Sequence, residues 1–122
     1  MGSHPLNLAL RFLLEVIALL SLGSWAWGAS TRWYRYPLAI GLPLLVATIW
    51  GVFAVPDDPS RSGKAPIPTK GSIRLGMELL FFCSAAYALG SMGFIKLSWI
   101  FTGTVVLHYT ASYDRIRWLL KQ

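Results

Sequence analysis

Charge is the first thing this sequence has little of. Only 13% of its 122 residues are Asp, Glu, Lys or Arg, about half the ~25% of a soluble domain. That scarcity excludes an ordinary water-facing surface. Cysteine is nearly absent as well: the single Cys83 rules out an intramolecular disulfide framework, and between Phe81, Phe82 and Ser84 it reads as a small core residue rather than a reactive thiol. There is no paired Cys/His motif, no Gly-rich phosphate loop and no Ser nucleophile elbow. Metal, nucleotide and acyl-transfer chemistry therefore have no recognisable foothold.

Apolar sequence takes the place of charge, with 55% of residues hydrophobic. It is gathered into four runs nearly free of charge: 6–27, 37–55, 71–90 and 94–113. Each approaches the ~20 residues a helix needs to cross hydrocarbon, and none shows the polar stripe of a soluble core helix. The expected fold is all-α: one integral membrane domain over 1–122, a four-helix bundle made of two helical hairpins. The first run is not a signal peptide by this reading, because Lys and Arg are missing before Arg11, and Arg11 and Glu15 interrupt its apolar stretch.

Four crossings put the N-terminus, the middle loop and the C-terminus on one side. Arg61, Lys64, Lys70, Arg115, Arg117 and Lys121 fall there, with Arg11 and Arg74 just inside the runs; Arg32, Arg35 and Lys96 fall opposite. Positive residues favour the cytoplasm, so both termini are expected there. The net charge of +6 then reflects topology and attraction to anionic lipid, not nucleic-acid binding. Trp25, Trp27, Trp33, Tyr34, Tyr36 and Trp99 mark the outer interface, and Tyr109, Tyr113 and Trp118 the inner one. The loop at 56–70 holds four prolines, which exclude helix and central strand. Pro43 should kink the second run. The segment at 114–122 mixes basic and apolar residues, and should continue the fourth helix into the inner interface.

The few charges inside the runs form a pattern. Arg11-Phe12-Leu13-Leu14-Glu15 in the first run is echoed by Arg74-Leu75-Gly76-Met77-Glu78 in the third. The i, i+4 spacing sets each Arg beside its own Glu on one helix face. At 1.5 Å per residue, both carboxylates lie roughly 10–13 Å inside the cytoplasmic edge. A charge there costs at least ~2.5–3.5 kcal/mol unless it is paired or hydrated. If the two faces meet, two carboxylates and two guanidinium groups close into a neutral square. Trp50, His108 and Tyr109 fall in the same layer, so every helix of the bundle contributes a polar-capable side chain to it. The echo also hints at an internal pseudo-repeat, although beyond Arg, Glu and the pair Ser21 and Ser84 the halves match poorly.

Several functions are compatible with such a layer. It could lock helix register only, as buried polar groups do in membranes. It could bind a small or lipidic ligand, a quinone for example. It could be a proton-coupled transporter using Glu15, but Arg11 one turn before gives that carboxylate a partner of its own. It could be an enzyme with His108 or a Glu as acid–base group, for which one histidine is thin support. Glu15, Glu78 and His108 imitate a metal site, yet two arginines in the layer argue against a divalent cation. The reading favoured here is a non-enzymatic membrane protein without cofactor or metal, whose cluster of Arg11, Glu15, Arg74, Glu78, Trp50, His108 and Tyr109 holds a small or lipidic ligand. Membrane lipids are the expected partners, and a homo-oligomer would suit so small a bundle.

Four segments also carry a resemblance: Leu10-Arg11-Phe12-Leu13-Leu14-Glu15, Ile49-Trp50-Gly51-Val52-Phe53-Ala54-Val55-Pro56, Arg74-Leu75-Gly76-Met77-Glu78 and Tyr113-Asp114-Arg115-Ile116-Arg117-Trp118-Leu119. In this order they resemble the YrdB-like family, small bacterial four-span proteins grouped under a domain of unknown function. The resemblance covers almost the whole chain and implies the bacterial inner membrane. It implies no reaction, substrate or cofactor. It adds weight to Trp50, Pro56 and the segment at 114–118.

Overall fold

The computed structural model describes residues 4–28, 32–56 and 65–122. These fold into five helices: α1 (Pro5–Gly28), α2 (Arg35–Val52), α3 (Gly71–Ser91), α4 (Ile95–Ala111) and α5 (Tyr113–Leu120). Among them α1, α2 and α3 are long and apolar enough to cross a membrane; α4 has 17 residues. The chain is all-α but for one short pairing, in which β1 (Phe53–Ala54) and β2 (Ile67–Pro68) run parallel. Arg61 and Lys64, counted above toward the charge asymmetry, lie outside the described residues.

The fold is built on a seam between α1 and α3. On α1 the buried positions are Asn7, Arg11, Leu14, Ala18, Ser21, Leu22, Gly23 and Ala26. On α3 they are Gly71, Arg74, Glu78, Phe81, Phe82, Ala85, Ala88 and Leu89. Within them 7, 11, 14, 18 and 21 on α1, and 71, 74, 78, 81, 85 and 88 on α3, advance by threes and fours, which keeps one face of each helix turned inward, while Gly23 faces α2 at Ala39 and Pro43. The alanines at the seam let the helices approach closely, as in membrane helix pairs. Outward faces are apolar instead: Phe12 and Leu20 on α1, Leu80 and Tyr87 on α3, and Leu107 on α4 are all exposed. Charge inside and hydrocarbon outside inverts the soluble pattern, and fits a membrane protein.

Cys83 belongs to that outward face, being exposed. The expectation of a core residue fails because Phe81, Phe82 and Ala85 already occupy the seam positions around it. The α3–α4 turn is fixed by Gly93, at φ 89°, a conformation that glycine adopts without a Cβ clash. Phe94 N–H donates to Leu89 O at 3.0 Å and Gly93 N–H to Gly90 O at 3.1 Å, the paired bonds of a Schellman ending.

α2 is the peripheral helix. It packs mainly on α1 and has no buried residue. It stays helical through Pro43. It ends at Val52, earlier than the apolar run suggests, because Phe53 and Ala54 turn extended to pair with Ile67 and Pro68. The expected continuation of α4 is also interrupted. The chain bends at Ser112, and α5 begins anew at Tyr113, with Arg115 and Leu119 buried against the bundle.

Candidate functional site

Glu78 is the centre of the polar layer. Its side chain is 0% exposed, and five donors converge on its two oxygens. Oε1 accepts from Arg11 Nη2 at 2.6 Å, Arg74 Nε at 3.2 Å and Arg115 Nη2 at 2.9 Å. Oε2 accepts from Tyr109 Oη at 3.0 Å and Arg115 Nη1 at 3.0 Å. Arg115 thus grips the carboxylate with both prongs of its fork, the strongest geometry for such a pair. A carboxylate has about four lone-pair directions, so no acceptor capacity remains for a substrate.

Each donor comes from a different turn of the fold. Arg11 arrives across the seam from α1, and Arg74 from one turn earlier on α3. Tyr109 descends from the last turns of α4, and Arg115 reaches back from α5. One side chain therefore ties four helices together near one end of the bundle. Arg74 extends the tie to α2: its Nη1 donates to Trp50 O and Phe53 O, both at 2.6 Å. Those carbonyls belong to the end of α2, where helical acceptors lack partners and carry partial negative charge. Trp50 lies between the two halves, its ring 4.3 Å from the Arg74 guanidinium and 5.4 Å from that of Arg11. It packs at a tilt against Phe81, ring centres 4.7 Å apart.

The square expected from the two Arg–Glu repeats is not what forms. Arg11 does bridge to Glu78, but Glu15 sits at the rim, receiving Arg11 Nε at 3.1 Å with its side chain 21% exposed. The second nitrogen of Arg74 faces the end of α2 instead of Glu15. Among the described residues the arrangement is a star centred on Glu78, in which the guanidinium groups of Arg11, Arg74 and Arg115 meet one carboxylate, and the negative end of α2 gives Arg74 two further acceptors.

A second chain of contacts lies beside the star. His108 Nδ1 is 3.0 Å from Asn7 Oδ1, and Asn7 Nδ2 donates to Ser112 Oγ at 2.6 Å. His108, Asn7 and Ser112 are all buried. His108 therefore joins α1 to the α4–α5 bend and makes no contact with a carboxylate among the hydrogen bonds of the described residues. Tyr109, expected also as an interfacial anchor, points inward to Glu78.

Of the seven residues singled out from sequence, Arg11, Arg74, Glu78, Trp50 and Tyr109 meet at the star, Glu15 borders it, and His108 stands one contact away. Asn7 and Ser112 were missed as members, and Arg115 was singled out only as part of the segment at 114–118. The signal for Arg115 was present: Tyr109, Ser112, Arg115 and Leu119 follow at spacings of three and four, one helical stripe that carries the buried face from α4 into α5. No group of three or more His, Cys, Asp or Glu positioned to hold a metal occurs among the described residues.

This geometry can be set beside known proteins. The family described as "Protein of unknown function (DUF2568)" matches residues 9–106. The chain belongs to that family. Among curated relatives, "Uncharacterized protein YrdB" of Bacillus subtilis (strain 168) is 47% identical over 116 residues, which is 95% of this chain and 94% of that protein. No solved structure matches the chain. The stretch that matches the family contains Arg11, Glu15, Trp50, Arg74 and Glu78. Tyr109 and Arg115 lie beyond it, within the last residues of the chain.

Proposed function

We propose that this is a non-enzymatic, four-span protein of the bacterial cytoplasmic membrane, both termini cytoplasmic, in which the Arg–Glu star is an internal clamp and not a substrate grip. One observation carries the second half of this reading: the Glu78 carboxylate is fully buried and saturated by five protein donors. A catalytic acid–base group or a proton carrier has to reach a substrate or water, and Glu78 has neither exposure nor a free lone pair. A ligand's head would have to displace a guanidinium to bind it. The four-span reading rests on α1, α2 and α3, and on α4 being at the lower limit of ~17 residues that can cross.

The clamp makes the near ends of α1, α3, α4 and α5 one cooperative unit. Hydrogen–deuterium exchange in detergent tests this. Glu78→Gln should raise exchange together in segments 7–14, 74–82 and 105–119, and leave the α3–α4 turn unchanged. Exchange that rises in α3 alone would contradict a shared clamp. A carboxylate probe that reacts with native Glu78 would contradict its closure.

A further inference from the structure

The cluster is closed, but the bundle is not. α2 stands away from α3 along much of its length, and an apolar furrow floored by α1 separates them. One part, about 210 Å³, runs from Trp50 and Met77 to Leu22, Val46 and Ser84. The adjoining part, about 520 Å³, shares Leu22, Val46 and Ser84 and continues to Trp25, Tyr87 and Ala88. The Ser84 hydroxyl, midway along, is spent on Leu80 O at 2.8 Å. The furrow therefore asks for hydrocarbon.

Its dimensions choose among hydrocarbons. From Met77 to Ala88 the α3 wall is roughly 16 Å long at 1.5 Å per residue, about half of a ~30 Å hydrocarbon core. A helix of that length and ~10 Å across would need more than ~1,000 Å³, which the two parts together do not supply. An extended acyl chain fits the length of one leaflet. At one end of the furrow Trp50 packs at a tilt against Phe81, ring centres 4.7 Å apart, with the Arg74 guanidinium over its ring. At the other end lie Trp25 and Tyr87. That second end is the end of the bundle that carries the α1–α2 turn, with Arg35 stacked 3.8 Å over Trp27 and Arg32 and Lys96 exposed. No acidic residue of the described chain lies at that end, so the local charge is positive and suits a phosphate.

We propose that the α2–α3 furrow holds one acyl chain of an anionic glycerophospholipid, its methyl end against Trp50 and its phosphate at the end of the bundle that carries Arg35. The proposal rests on the membrane embedding described above and is independent of the clamp. The test is native mass spectrometry of protein reconstituted in vesicles of equal parts phosphatidylglycerol and phosphatidylethanolamine, then extracted in mild detergent. Wild type should keep one phospholipid per chain, with phosphatidylglycerol in severalfold excess. Ser84→Phe, which fills the furrow from an exposed position, should lose it, and Val46→Phe from the opposite wall should do the same. Leu107→Phe, on the outward face of α4, should keep it. Equal retention by all variants would mean annular lipid only and would overturn the proposal. So would equal retention of the two lipids, an empty wild-type protein, or a wild-type dimer that Ser84→Phe separates, since a second copy would then fill the furrow.

Discussion

At the residue scale the two Arg–Glu repeats look equivalent in sequence and are not equivalent in the fold. Glu78 is the hub because its helix lies at the centre of the bundle, where α1, α4 and α5 can all reach it. Glu15 has its own Arg11 and little else. Spacing alone predicts each i, i+4 pair correctly, since that geometry is local to a helix. It cannot say which carboxylate the third guanidinium chooses, because Arg115 meets Glu78 only through tertiary packing. The Tyr109 hydroxyl gives a measurable share of the hub: Tyr109→Phe removes one hydrogen bond to a charged acceptor and should cost about 1.5–3 kcal/mol. Thermal unfolding in detergent would register this. Unchanged stability would mean that the hydroxyl does not bond Glu78.

At the element scale α5 is the least expected part of the fold. It is an eight-residue helix, too short to be stable alone, and it holds its place by Arg115 and by Leu119 packed against the start of α3. At Gly71 that packing leaves no room: a Cβ there would overlap the carbonyl of Leu119. Gly71→Ala should therefore destabilise by about 1–3 kcal/mol through overpacking, although alanine is the better helix former by ~1 kcal/mol. Limited proteolysis should then release the residues after Ser112, while wild type resists; equal resistance would refute the close contact. The apolar runs announced α1 to α4 because hydrocarbon length is written in composition. The bend at Ser112 was not legible, since the contact made there is with a distant helix: the Asn7 side chain donates to the Ser112 hydroxyl.

At the scale of the whole molecule the bundle is asymmetric. α1, α3 and α4 form its packed part, and α2 leans on α1 at the edge. Hydropathy suggests four equal helices because it counts apolar residues without saying what they face. The inversion of charge and hydrocarbon was legible; the furrow beside α2 was not, because a space between helices leaves no mark on either one. The proposed topology has its own test. Cysteine introduced at Lys121 should be shielded from a membrane-impermeant thiol reagent added to intact cells, and cysteine at Trp33 should react, both in a Cys83→Ala background. The opposite pattern would reverse the orientation.

The central claim is that one carboxylate clamps the helices, and comparing Glu78→Gln with Glu15→Gln tests it most directly. Removing the hub charge takes away the carboxylate that Arg11, Arg74 and Arg115 share, a loss of about 3–5 kcal/mol for a broken buried pair. Removing the rim charge leaves Arg11 its bond to Glu78 and should cost about 1 kcal/mol, as single polar contacts within membranes do. Measured side by side in one detergent, Glu78→Gln should lower the Tm by several times the shift of Glu15→Gln. Equal shifts would restore the symmetric square and contradict the clamp.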